Sequence, residues 1–265
     1  HRLIRRQRQM CIRDSYTSAK GVITEPELKR VINVSNDEIS WCVVKDRKFV
    51  FATMDGVLYL FDSKFGKMWE TLIWESPSSP VIADDKVVIA TKDGSVYVLD
   101  IRTGREDWSV PLCDSIGDHF SPIVSDVDGD RVKEVVISTK DGSVHVFDGR
   151  TGREDWSTPS FYRTVSSPAV AYGNIYIGSV DHYVCCIDGC TGDTIWDYET
   201  GGKITSSPTI GEGKIYVGSW DHKIYCLDAY TGELKWDYTT GGIIYSSPAI
   251  FDGRIYVCLL YTSDA

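Results

Sequence analysis

A ten-residue block recurs along most of this chain and constrains its fold more than any other feature. Each regular copy has an Asp, a Thr-Gly pair and a Trp at fixed spacing. The regular copies are Leu99–Trp108, Phe147–Trp156, Ile187–Trp196 and Leu227–Trp236, with a shorter copy at Phe61–Trp69. Successive Asp residues are 38, 48, 40 and 40 positions apart. A period near forty predicts a propeller or solenoid, in which a unit buries its apolar face only against its neighbours.

Local patterning within one unit predicts four short strands. Between Lys214 and Asp228, two runs alternate apolar and aromatic residues around the turn Asp221-His222, which is typical of a hairpin. Three earlier copies have Asp-Gly at this turn, so the His must tolerate a turn conformation. Ser-Ser-Pro precedes a first strand, and the Thr-Gly turn leads to a fourth strand that carries the Trp. The repeat region shows no helical period, so we predict an all-β propeller of four-stranded antiparallel blades.

The repeated block resembles the quinoprotein-type (PQQ-like) propeller repeat, with consensus Ala-x-Asp-x-x-Thr-Gly-x-x-x-Trp, over residues 40–256. The resemblance implies that Trp108, Trp156, Trp196 and Trp236 dock between adjacent blades; Trp69 stands one residue early. It also implies seven or eight blades, of which this chain has about five and part of a sixth. A WD40 propeller is the alternative, suggested by two Trp-Asp pairs that lack an upstream Gly-His.

Both ends of the chain depart from the repeat. RRQRQMCIRDS and CLLYTSDA resemble translations of a sequencing adapter, which predicts that residues 1–15 and 257–265 are artefacts. Residues 16–39 then form a linker or the tail of an upstream blade, and residues 40–256 form the repeats. The two end segments hold five arginines and two aspartates, so the remainder has a net charge of −13 instead of −10. Such an acidic chain is not expected to bind nucleic acid, and no direct membrane insertion is expected.

Cysteine and histidine patterns favour packing over chemistry. Cys185-Cys186 suggests a vicinal disulfide of the kind found beside the cofactor of quinoprotein alcohol dehydrogenases. The pair lies in a predicted strand, where adjacent side chains point to opposite faces, so we expect no disulfide. His182 and His222 occupy equivalent hairpin tips, where three other copies have Gly, and we interpret them as turn residues and not as metal ligands.

One inserted segment carries metal-binding chemistry. In SDVDGDRVKEVV, Asp126, Asp128 and Asp130 stand at loop positions 1, 3 and 5, the Val132 carbonyl at 7 and Glu134 at 9. Oxygen atoms at every second residue suit calcium, which takes about 6 to 8 oxygen ligands. The pattern resembles the calcium loops of integrin-type (FG-GAP) repeats, although Arg131 replaces their usual Gly at position 6. An acidic, solvated turn without an ion is the alternative interpretation.

The repeats supply packing residues and no recurring acid, base or nucleophile. We therefore predict a non-catalytic, monomeric scaffold or recognition module that binds a protein or small ligand on a propeller face and holds a structural Ca²⁺. Resemblance to the BamB family implies a periplasmic or cell-surface location. The alternatives are a fragment of a quinoprotein dehydrogenase and the sensor domain of a larger enzyme. Pyrroloquinoline quinone (PQQ) is not expected, because the axial ligands of that cofactor and its calcium are not identifiable.

Overall fold

The computed structural model describes residues 39–73, 78–112, 116, 120–159 and 163–260. The predictions for residues 1–15 and 16–38 lie outside these ranges. The regular secondary structure of the described residues is entirely β, and none of them belongs to a helix that could span a membrane. Five four-stranded antiparallel sheets follow one another along the chain, each with its strands in sequential order. We number these sheets as blades I to V.

The strands of each blade are as follows. Blade I contains β1 (Ile39–Lys45), β2 (Lys48–Thr53), β3 (Val57–Phe61) and β4 (Lys67–Leu72). Blade II contains β5 (Val81–Ala83), β6 (Lys86–Ala90), β7 (Ser95–Asp100) and β8 (Glu106–Pro111). Blade III contains β9 (Ile123–Ser125), β10 (Glu134–Ser138), β11 (Val144–Asp148) and β12 (Glu154–Ser157). Blade IV contains β13 (Ala169–Ala171), β14 (Asn174–Gly178), β15 (Tyr183–Asp188) and β16 (Thr194–Glu199). Blade V contains β17 (Thr209–Gly211), β18 (Lys214–Gly218), β19 (Lys223–Asp228) and β20 (Leu234–Thr239).

A sixth unit begins after blade V. Its strands are β21 (Ile243–Ile244), β22 (Ala249–Phe251), β23 (Arg254–Tyr256) and β24 (Leu259–Leu260), paired β22 with β23 and β21 with β24. Cys258 exchanges two hydrogen bonds with the Ser246 hydroxyl, as Gly218 does with Ser206 one repeat earlier. The backbone thus keeps the repeat pattern through Leu260, although the sequence departs from it at Cys258. The adapter origin of residues 257–265 stays a prediction.

The core lies between blades, as the repeat period predicts. Side chains of blades IV and V form one buried cluster: Tyr176, Val184, Cys186, Ile204, Ile215, Val217, Tyr225, Leu227 and Ala229. Cys185 belongs instead to the cluster shared by blades III and IV. The two adjacent cysteines therefore point to opposite faces of β15, as expected for neighbours in a strand. Burial raises the pKa of each thiol to about 12.

A repeated hydrogen bond links successive blades near their first strands. The first strands β1, β5, β9, β13, β17 and β22 contact one another in that order. In three of the Ser-Ser-Pro motifs the second Ser accepts a hydrogen bond from the preceding blade. Ser121 N–H donates to Ser167 Oγ (2.9 Å), and Ser167 N–H donates to Ser207 Oγ (3.1 Å). Ser207 N–H continues the series to Ser247 Oγ at 3.0 Å.

The Trp of one blade docks on the Thr-Gly turn of the next. Trp108 Nε1 donates to Gly149 O, Trp156 Nε1 to Gly189 O and Trp196 Nε1 to Ala229 O, at 2.9–3.2 Å. Trp236 belongs to blade V, whose following corner is not among the described residues. Trp108, Trp156 and Trp196 therefore dock between adjacent blades, as the family resemblance implied.

Blade I reaches the same arrangement with one residue fewer. Trp69 Nε1 donates to Ile101 O at 2.8 Å. Phe65 adopts φ +62° in the shortened turn, and Trp69 still pairs with Leu60 in the strand register. The displaced Trp69 is thus an ordinary member of the docking series.

Candidate metal centre

The inserted acidic segment connects β9 to β10 in blade III, where blades II, IV and V have two-residue turns. Its C-terminal end is fixed to the blade because Gly149 N–H donates to Lys133 O at 3.1 Å. Lys133 also forms an ion pair with Asp84 in the corresponding turn of blade II, at 2.8 Å. The segment therefore leaves and re-enters the sheet at anchored positions and projects its acidic residues between them.

Three of the predicted ligands come together. One carboxylate oxygen from each of Asp126, Asp128 and Asp130 lies within 4.8 Å of the others. Backbone N–H groups of the same loop orient them: Gly129 and Arg131 donate to Asp126, at 2.7 and 3.1 Å. Asp128 accepts from Asp130 N–H at 3.0 Å. Within the described ranges, no ion pair from Lys or Arg to these three carboxylates is found.

The loop backbone has the conformation that a tight ligand-wrapping turn needs. Gly129 has φ +85°, and Arg131 has φ +72°. A residue with a Cβ adopts this left-handed region only at an energetic cost, which explains why Gly is the usual residue at position 6 of such loops. Arg131 adopts the left-handed conformation that this position requires, although it lacks the conformational freedom of Gly.

Glu134 lies apart from the three aspartates, and the Val132 carbonyl stays a predicted ligand. Glu134 opens β10, is only 3 % exposed, and accepts a hydrogen bond from Val127 N–H at 2.7 Å. It lies outside the group of three aspartates, although their charges reach it. Burial, followed by the charges of the three aspartates, raises its pKa to about 7 against the opposing effect of the Val127 hydrogen bond. Val132 contributes its N–H, which donates to Asp130 Oδ1 at 2.6 Å.

The donor set fits a hard divalent cation. All the side chains of the group offer oxygen, and four carboxylates lie close together without a cationic side chain paired to the aspartates. Calcium prefers such oxygen donors, and a divalent charge would offset the repulsion that adds to the effect of burial on the pKa of Glu134. Asp126, Asp128 and Asp130 would hold the ion, with Glu134 beside them in the wall of the site.

The sequence did not show that this loop also contacts blade IV. Val127 is buried in the cluster between blades III and IV. A Cβ placed on Gly189 would lie 2.5 Å from Val127 O, and Cys190 Sγ lies 3.7 Å from Asp128 O. A Cβ on Gly149 would meet Lys133 O at 2.1 Å. The sequence signal was Gly at positions 149 and 189, the two corners that flank the loop, where blades II and V have Ile101 and Ala229.

The four-stranded blades, their inter-blade packing and the docked Trp corners define this protein as an all-β propeller of PQQ-like repeats. Its sequence matches the family described as "Outer membrane protein assembly factor BamB" over residues 29–163, 114–210 and 181–259, and the chain belongs to that family. In a comparison with curated protein sequences, no match was found.

Two solved structures illustrate the similarity of fold. The crystal structure of the computationally designed Ika8 protein has a TM-score of 0.73 and 20 % identity, covering 83 % of this chain and 67 % of that one. The crystal structure of BamB from Moraxella catarrhalis has a TM-score of 0.54 and 20 % identity, covering 83 % of this chain and 80 % of that one. At this identity the likeness concerns the fold alone.

Proposed function

We propose that this protein is a non-catalytic propeller module that recognises a protein partner in the periplasm and carries a structural calcium ion at residues 126–134. Membership of a family named for outer membrane protein assembly supports a role in binding other proteins. The described residues form no helix that could span a membrane. Partner binding through one face of the propeller is consistent with membership of that family.

The proposal that the protein is non-catalytic is supported by the contacts that the repeated polar residues make. In the corner of blade II, Asp100 accepts hydrogen bonds from Arg102 N–H, Thr103 N–H and the Thr103 hydroxyl. Gly104 leaves room for the ring of Trp69. Blade III repeats this arrangement. The repeated residues form the turns and the docking contacts between blades. This favours a role as a scaffold over a role in catalysis.

A quinoprotein dehydrogenase is the second candidate, favoured by the type of repeat. Such an enzyme needs calcium beside the quinone at the propeller axis. The acidic loop joins the first and second strands of a single blade and contacts the corner of the next blade. We therefore propose that an ion in this loop is structural and does not bind a quinone.

Two measurements on the full chain test this proposal. The first is a titration with PQQ in the presence of calcium, followed by absorbance and a dye-linked dehydrogenase assay. We expect no stoichiometric binding and no turnover with alcohols or sugars; binding with turnover would assign the protein to the enzymes. The second compares melting in calcium and in chelator. We expect a higher melting temperature in calcium, because an ion that binds only the folded state stabilises it. Identical melting curves at millimolar calcium would contradict the structural ion.

A further inference from the structure

Two tyrosines from neighbouring blades form an exposed stack next to the acidic loop. Tyr172 lies in the turn between β13 and β14, and Tyr230 lies in the corner between β19 and β20. Their ring centroids are 5.2 Å apart at an interplanar angle of 39°. The two residues are 47 % and 56 % exposed. We call these two residues the tyrosine pair.

The tyrosine pair is fixed in place. The Tyr172 hydroxyl accepts a hydrogen bond from Gly213 N–H at 3.0 Å, which ties blade IV to the turn of blade V. Tyr230 N–H donates to Asp228 Oδ1 at 3.0 Å, so its backbone is held by the same corner that every blade uses. Two rings that contact each other yet stay half exposed form a preorganised surface, and preorganised aromatic residues lose little entropy when they bind a partner.

Tyr172 occupies a backbone position that does not favour it. Its φ is +57°, and the equivalent residues Asp84, Glu212 and Asp252 have φ of +48° to +51°. Asp, which stands at two of these positions, tolerates the left-handed region, whereas an aromatic side chain there is uncommon. The turn itself therefore does not explain the aromatic residue, and strained residues of this kind are concentrated at binding and switch sites.

Acidic residues adjoin the tyrosine pair, together with the half-buried Lys214 that follows Gly213. Glu212 is exposed and adjoins Gly213, which holds Tyr172. The acidic loop lies on the preceding blade, and a Cβ on Gly173 would lie 3.8 Å from Val127 O within that loop. The cation–π contacts found in the described part of the chain are Lys203 with Trp220 and Lys223 with Tyr225. Both rings of the tyrosine pair are thus without a cation from the described residues.

We propose that the tyrosine pair docks a basic, extended segment of a partner protein, with an Arg or Lys side chain placed over the rings and Glu212 close to its charge. A cation over an aromatic face is attracted by the ring quadrupole, and the negative charge of this chain, −10 in total, adds a complementary field. This proposal rests on the proposed role in protein recognition and identifies the surface and the chemistry of the partner.

Fluorescence anisotropy with a labelled Gly-Arg-Gly-Arg-Gly peptide tests the proposal at physiological salt, which screens non-specific attraction. The same peptide with citrulline in place of Arg is the neutral control. We expect the double variant Tyr172→Asn, Tyr230→Ser to weaken binding of the Arg peptide by about tenfold. Asn tolerates the left-handed conformation, so the turn should remain folded. Tyr245→Ser removes another half-exposed tyrosine, which packs on Trp220 elsewhere, and should change binding less than about twofold.

Three results would overturn this docking proposal. They are equal binding by the wild-type chain and the double variant, equal binding of the citrulline peptide, and no binding of the Arg peptide at millimolar concentration. The PQQ titration and the calcium melting curve, repeated on the same samples, separate the two proposals. If the PQQ titration and the calcium melting curve give the expected results but the Arg peptide does not bind, the docking proposal is wrong and the proposed function stands.

Discussion

Trp108 donates its indole N–H to the carbonyl oxygen of Gly149 at a distance of 3.2 Å, although Gly149 lies 41 residues later in the chain. Its ring covers Gly152 in the same turn, where a Cβ would lie 2.6 Å from the indole. The Thr-Gly turn of one blade is therefore the docking site for the Trp of the preceding blade. In four blocks the Gly therefore makes room for the Trp of the preceding block and not for the Trp of its own block: Gly104, Gly152, Gly192 and Gly232.

Gly152→Ala should destabilise the fold by about 2–4 kcal/mol. The substitution places a Cβ against Trp108 at a residue with φ +71°, so overlap and backbone strain act together. Gly253→Ala is the matched control, because Gly253 has φ +67° and nothing lies within 4 Å of its added Cβ. We expect that control to cost only the strain, about 1 kcal/mol. Chemical denaturation measures both, and equal losses would show that Trp docking contributes nothing.

Asp128→Asn should remove most of the stabilisation by calcium. With calcium about a hundredfold above Kd, the ion adds about 2.7 kcal/mol to the unfolding free energy. Asn keeps the oxygen that accepts from Asp130 N–H but lacks the charge that binds the ion. Asp252→Asn changes an exposed aspartate in the corresponding turn of the sixth unit and should leave the calcium effect intact. Calorimetry measures the affinity, and an unchanged affinity in Asp128→Asn would exclude this residue as a ligand.

Arg131→Gly should strengthen calcium binding and stabilise the loop. The change removes a positive charge from the loop and relieves a side chain held at φ +72°. Arg131→Ala removes the charge alone and is the natural comparison. We expect Gly to exceed Ala by about 1 kcal/mol in unfolding free energy, measured by denaturation in calcium. If Ala matches Gly, the backbone at this position is not strained.

The pH dependence of stability should report the environment of Glu134. Its pKa rises from 4.5 to about 7 in the fold, so between these values the folded chain binds the extra proton. In chelator this group therefore stabilises the fold at low pH, and its contribution is lost as pH rises from about 4.5 to 7. Calcium should reduce this loss because it favours the ionised carboxylate.

Melting temperatures from pH 5 to pH 8 measure this dependence, and Glu134→Gln is the control. Gln keeps an oxygen that can accept from Val127 N–H but cannot titrate. We expect the difference between wild type and Glu134→Gln to change with pH in chelator. Parallel curves would show that Glu134 titrates as an ordinary exposed carboxylate.

The sequence alone predicted the strands, hairpins and corners because their signals are local. The hairpin tips show this at His182 and His222, which adopt φ of +77° and +72° at the position of Gly94 and Gly142. The clustering of Asp126, Asp128 and Asp130 was also predictable, since residues two apart in a tight loop present their carboxylates to one centre. A metal bound there stays a prediction.

Contacts between blades could not be predicted from one repeat at a time. Trp69 looked misplaced in the sequence, yet it docks normally because Phe65 takes up the missing residue in its turn. Glu134 was expected among the ligands, but it is buried and accepts a hydrogen bond from Val127 N–H, and Val127 itself packs against blade IV. Tyr172 and Tyr230 are 58 positions apart and meet only because their blades are neighbours. Periodicity determined which units form, whereas burial and charge at each blade boundary depended on the side chains that the adjacent blade supplies.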